Sequence, residues 1–122
     1  MSEWSDFDLD FSYGQEGEQL VKELLTNGKT VEVKRDRRWI ETGNLYIETE
    51  CWSDVMQSWY HSGINISKAS HWSFVLEDSV VTVPIERLKF VVQKYGRKKE
   101  MNRPEYSTKG FLITVEDLFR RY

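Results

Sequence analysis

Thr30-Val31-Glu32-Val33-Lys34-Arg35-Asp36 alternates apolar and charged side chains, and Thr42-Gly43-Asn44-Leu45-Tyr46-Ile47-Glu48-Thr49-Glu50 follows it after a short gap. A period of two is the mark of a half-buried strand, because successive side chains leave a strand on opposite faces. Residues 30–36 therefore read as one strand, with Val31 and Val33 on one face and Thr30, Glu32, Lys34 and Asp36 on the other. Residues 44–50 read as a second strand, with Leu45 and Ile47 inward and Tyr46, Glu48 and Glu50 opposite. Thr42-Gly43-Asn44 has the composition of a hairpin turn between them. Loop length sets the parity. With a three-residue loop Asp36 faces Glu50 and Arg38 faces Glu48, all on the Glu32/Lys34 side; with a two-residue loop Glu48 and Glu50 fall on the other face.

Outward from this pair, the remaining elements follow from local patterns. Leu20, Val21, Leu24 and Leu25 recur at helical spacing, so residues 15–26 read as a helix closed by Asn27-Gly28, with Gly14 and Gly17 near its start. Residues 1–12 are acidic and aromatic and suit an extended arm. Trp72–Leu76 and Val80–Val83 read as strands about Glu77-Asp78-Ser79. Pro84 opens a helix whose buried face is Ile85, Leu88, Val91, Val92 and Tyr95, closed by Gly96. Gly110–Ile113 reads as a last strand. Thr114 and Asp117 have the spacing of a capping box for a short final helix. The sum is a single α+β domain on one mixed sheet.

The 122 residues make one ordinary domain, and the net charge of −3 argues neither for nor against a polyanionic partner. The distribution is uneven: residues 1–18 hold six acidic and no basic side chains, whereas residues 89–122 hold nine basic and four acidic. One cysteine, Cys51, excludes an intrachain disulfide and a cysteine-rich metal motif and reads as an inert thiol. His61 and His71 lack a zinc-like spacing and suit surface or capping roles. The acidic N-terminus has no apolar leader and no run approaches transmembrane length, so a soluble cytoplasmic protein without a membrane partner is expected.

On a strand, Glu32 and Lys34 leave the same face, about 7 Å apart. A carboxylate is a ligand for a hard divalent cation, and a neighbouring Lys can orient water or steady a phosphate. Asp36 continues that face. Lys94, Arg97, Lys98, Lys99 and Arg103 put five cations against Glu100 alone, the composition of a loop that contacts phosphates, or of a solvated one. Ser62–Ser67 suits a turn leading into a short helix at Lys68–His71. Trp39, Trp52, Trp59 and Tyr60 suit core or self-association surfaces.

An early-helix Gly17-Glu18 followed by a strand with Glu32-Val33-Lys34 and Asp36 resembles the PD-(D/E)XK nuclease superfamily. With Asp10-Phe11, Gly14, Thr42-Gly43-Asn44-Leu45, Ile47-Glu48, Ser62-Gly63-Ile64, Ala69 and Trp72, the pattern is similar to small bacteriophage proteins. The resemblance spans roughly residues 8–95. It implies a restriction-endonuclease-like core and Mg²⁺- or Mn²⁺-dependent hydrolysis of DNA, in the host cytoplasm if the chain is phage-encoded, with a homodimer as a possible assembly. It implies Glu18, Glu32, Lys34 and Asp36 as catalytic residues and Glu32, Asp36 and Glu48 as metal ligands. The separate Asp that usually precedes Glu-x-Lys is missing. Asp10 takes its place, or the metal sits on Glu32, Asp36 and Glu48, or the chain is a binding-only member whose partner is a host factor or DNA.

Overall fold

The computed structural model describes residues 3–26 and 30–121. The chain divides into two compact units, Met1–Thr30 and Val31–Tyr122. The first holds one long helix, α1 (Glu3–Thr26). The helix begins well before residue 15, so residues 3–12 continue it and are not an extended arm. Gly14 and Gly17 lie within it, not at its start. Leu20 and Val21 of its apolar face are each 54% exposed. No helix among the described residues is long and apolar enough to cross a membrane.

The second unit is α+β, built on two sheets and not one. Its strands are β1 (Val31–Arg35), β2 (Asn44–Ser53), β3 (Ser58–His61), β4 (His71–Leu76), β5 (Ser79–Pro84), β6 (Arg97–Asn102) and β7 (Ser107–Thr114). A mixed three-stranded sheet has the order β1-β4-β5, with β1 parallel to β4. An antiparallel four-stranded sheet has the order β3-β2-β7-β6. Helix α2 (Trp39–Thr42) is a single turn between β1 and β2, and α3 (Ile85–Tyr95) follows β5.

The expected hairpin between residues 30–36 and 44–50 does not form: β1 and β2 belong to different sheets. Gly43 takes the left-handed conformation (φ 73°), as that turn composition suggests, but it caps α2, donating to the Trp39 carbonyl. The two faces of β1 divide as alternation predicts, and the pairing with β4 decides which of them is buried. Glu32 aligns with Trp72 and Lys34 with Phe74, both core residues of β4. Glu32 and Lys34 thus lie on the core side of their sheet, half-buried, and Val31 and Val33 face outward, 38% and 64% exposed.

The core joins both sheets to α3. Trp72, Phe74, Leu76 and Val83 come from the mixed sheet, Leu45, Ile47 and Ile113 from the antiparallel one, and Leu88, Val91 and Val92 from the helix. Leu45 and Ile47 are buried as their alternation predicts. The capping box forms with both bonds: Thr114 N donates to Asp117 Oδ2 at 2.9 Å, and Asp117 N donates to Thr114 Oγ1 at 3.1 Å. A 3-10 turn, Gly63–Asn65, precedes β4, and Lys68–Ser70 are not helical. Gly96 closes α3 in an extended conformation (φ −63°); a Cβ there would lie 2.3 Å from the Val92 carbonyl oxygen.

Candidate nucleic-acid interface

Basic residues 97–102 form an edge strand, not a loop. Strand alternation therefore divides the cations of β6. Arg97, Lys99 and Met101 align with Leu112, Gly110 and Thr108 of β7 and share their face; Lys98 aligns with Phe111 on the other. Across β7, Gly110 aligns with Glu48 and Leu112 with Tyr46 of β2. The outer face of the antiparallel sheet therefore reads in rows: Glu48, Gly110 and Lys99 in one, Tyr46, Leu112 and Arg97 in the next.

A register shift between Glu48 and Glu50 marks a bulge in β2. Glu50 then aligns with Lys109, on the side opposite Gly110, so the bulge separates Glu48 and Glu50, which simple alternation puts together. Cys51 aligns with Thr108 and with Tyr60, which returns Tyr60 to the outer face.

Gly110 is required in the middle of this face. A Cβ there would lie 2.3 Å from the Ile47 carbonyl oxygen and 2.9 Å from Tyr46 Cζ, so the Tyr46 ring crosses directly above a bare backbone. Its hydroxyl shares a hydrogen bond with Thr108 Oγ1 at 2.8 Å. Burial raises the Tyr46 phenol above its ordinary range; the Thr108 bond and the Arg103 charge oppose the shift, and the Glu48 charge adds to it. Tyr60 is raised as well, through a hydrogen bond with Cys51 first and the thiol's charge second.

Above this floor lies a cleft of about 1030 Å³. One wall is Lys34, Arg35, Asp36, Arg37 and Arg38, the end of β1 and the segment after it. The other is Lys99 with the 102–106 turn, including Arg103 and Tyr106. Six cations line it against two carboxylates, Asp36 and Glu48. Arg35, Arg37, Arg38 and Lys99 make no ion pair with described residues. Arg103 donates to the Tyr106 hydroxyl at 3.0 Å and stacks on its ring at 5.6 Å. Such a density of unpaired positive charge is costly in a fold and is relieved by an anionic ligand.

The residues expected to carry chemistry are partly brought together here. Asp36 is held by two backbone donors, Arg38 N to Oδ1 at 2.9 Å and Tyr46 N to Oδ2 at 3.2 Å. Each oxygen retains a further lone pair. The Glu48 carboxylate accepts no hydrogen bond from a described residue. Lys34 borders the cleft and is steadied from behind: Glu32 Oε1 lies 3.5 Å from its Nζ, and the Trp72 ring lies 5.0 Å beneath. Glu32 in turn accepts from Ser67 Oγ at 3.0 Å, and Ser67 Oγ accepts from Trp72 Nε1 at 3.1 Å. Glu32 is outside the cleft lining and orients Lys34. Glu18 is exposed on α1, in the other unit.

Of the five cations expected to meet phosphate, Lys99 and Arg103 line the cleft, and Arg97 borders it, donating to Asn44 Oδ1 at 2.7 Å. Lys98 faces away, and Lys94 lies over Phe90 and Tyr95 at the end of α3. Tyr46, Tyr106 and Thr108 escaped sequence reasoning; the period-two pattern of residues 44–48 marks Tyr46 as outward-facing but not what it faces.

No group of three or more His, Cys, Asp or Glu side chains poised for a metal ion exists among the described residues. Mg²⁺ usually takes one or two carboxylates and completes its shell with water and substrate phosphate. Asp36, oriented by its two amides, and Glu48, with its oxygens unengaged, suit that mode. The chain matches no known family model, no curated protein and no solved structure.

Proposed function

We propose that the cleft binds a nucleic-acid backbone and that the chain is a Mg²⁺- or Mn²⁺-dependent DNA phosphodiester hydrolase. One observation carries the proposal: Lys34, Asp36 and Glu48 line the same cleft as Arg35, Arg37, Arg38, Lys99 and Arg103. Five cations would hold the phosphates on either side of the scissile one, and Lys34 would stand beside it. Asp36 and Glu48 would hold the ion, which when bound supplies Lewis-acid activation of water and phosphate. Glu32, 3.5 Å from the Lys34 ammonium, keeps it directed into the cleft. On this reading the mixed sheet with α3 is the restriction-endonuclease-like core, and the antiparallel sheet is the floor on which the strand lies.

A second reading, phosphate-backbone binding without hydrolysis, needs only the six cations that line the cleft. Circular single-stranded DNA and duplex plasmid, each incubated with the protein and millimolar Mn²⁺, separate the two. Hydrolysis predicts nicking that EDTA abolishes and that is lost in Asp36→Asn, Glu48→Gln and Lys34→Ala, while each variant still binds DNA. Binding without any nicking by the wild type overturns the hydrolase reading and leaves the binding one.

A further inference from the structure

The outer face of the antiparallel sheet carries tyrosines as well as cations. Tyr46 lies across Gly110 at the centre. Tyr106, 44% exposed, stands on the turn between β6 and β7 with Arg103 stacked on it. Tyr60, 48% exposed, is on β3 in the row of Cys51 and Thr108, and feels the charge of Glu48. An exposed tyrosine ring on a strand is a flat apolar platform, and one interleaved with Arg and Lys suits a chain that alternates flat rings with phosphates. In a duplex the base faces are already stacked on each other and only edges and backbone are offered. In a single strand the faces are free, and sheet surfaces bearing aromatics take them.

Resting on the proposed cleft reading, we infer that the ligand is single-stranded nucleic acid, with bases stacked on Tyr60 and Tyr106 and phosphates along Arg37, Arg38, Lys99 and Arg103. The arrangement reads no base edges, so binding is indifferent to sequence. Tyr46 is a support and not a platform, because its hydroxyl is committed to Thr108.

Fluorescence anisotropy of the full chain in EDTA tests this with three probes of about 15 nucleotides, within the span that such surfaces cover. They are oligothymidine, a deoxyribose-phosphate oligomer without bases, and a duplex of the same length. The wild type is expected to bind oligothymidine at least about thirtyfold more tightly than the abasic oligomer, the lower end of what two stacked bases contribute, and more tightly than the duplex. The margin over the abasic oligomer should vanish in Tyr60→Ala/Tyr106→Ala and persist in Tyr60→Phe/Tyr106→Phe, which keeps the rings. Equal affinity for oligothymidine and the abasic oligomer overturns stacking but leaves the cationic cleft standing, as does tighter binding of the duplex. Retention of the margin in the double alanine variant also overturns stacking on these rings. Failure of all three probes to bind overturns the cleft reading itself.

Discussion

Removing Arg37, Arg38 and Lys99 together should change the salt dependence of DNA binding by an amount that the cleft fixes in advance. Six cations line it. If each meets one phosphate of a single strand, the slope of log affinity against log salt is about −4, from roughly 0.7 per phosphate neutralised. Raising salt fourfold then weakens the wild type by about 300-fold. With three cations gone the slope falls to about −2 and the same change costs only about 20-fold. None of the three side chains makes an ion pair or hydrogen bond with another described residue, so the alanine variant should melt within about 3 °C of the wild type. The control is Lys94→Ala/Lys98→Ala. It removes two charges from the same basic stretch, but at positions on α3 and on the far face of β6. Anisotropy titrations at four or more salt concentrations give the slopes. A control variant that flattens the slope as much per charge as the cleft variant would refute the reasoning, because the charge of the chain and not the cleft would then govern binding.

The remaining predictions concern the fold that carries the cleft. Asp117 is buried, and although burial pushes its carboxyl up, the Thr114 amide and the Arg120 guanidinium at 2.9 Å pull it below its ordinary value of 3.8. A depressed folded-state pKa means its stabilisation is fully present above that value and lost as pH falls through the folded one. Urea melts between neutral pH and pH ~3 should therefore show a fall that is shallower in Asp117→Asn; identical profiles would show that other carboxylates govern acid unfolding. Gly63, at φ 54°, admits no side chain: a Cβ would sit 2.1 Å from the Glu48 carbonyl oxygen. Gly63→Ala combines left-handed strain with a backbone clash, roughly 2–5 kcal/mol, so a thermal midpoint lowered by at least about 10 °C is expected; a drop under about 4 °C would mean that the turn relaxes freely.

Sequence by itself determined the elements whose cause is local. Alternation placed Leu45 and Ile47 inward, and the helical spacing of Leu88, Val91 and Val92 marked the buried face of α3. The Thr114/Asp117 spacing marked the capping box at the C-terminal turn, and the left-handed preference of Gly43 marked a chain reversal, although of a different kind. Each of these follows from backbone geometry within a few residues. Only the tertiary structure decided that β1 pairs with β4, about forty positions away, and so turns Glu32 and Lys34 toward the core side and Val31 and Val33 out. Alternation defines two faces but cannot say which is buried; the partner strand chooses. The bulge that parts Glu48 from Glu50 and the strand register that gives Lys99, and not Lys98, to the cleft face are equally non-local. The cleft itself is the extreme case. Its walls, Lys34–Arg38 and Lys99–Arg103, are more than sixty residues apart in the chain and meet over a floor of Tyr46 and Gly110. Charges on separate segments carry no pattern in sequence that binds them together. They face one another because apolar burial packs the sheets beneath them, and that burial is insensitive to what the outer faces bear.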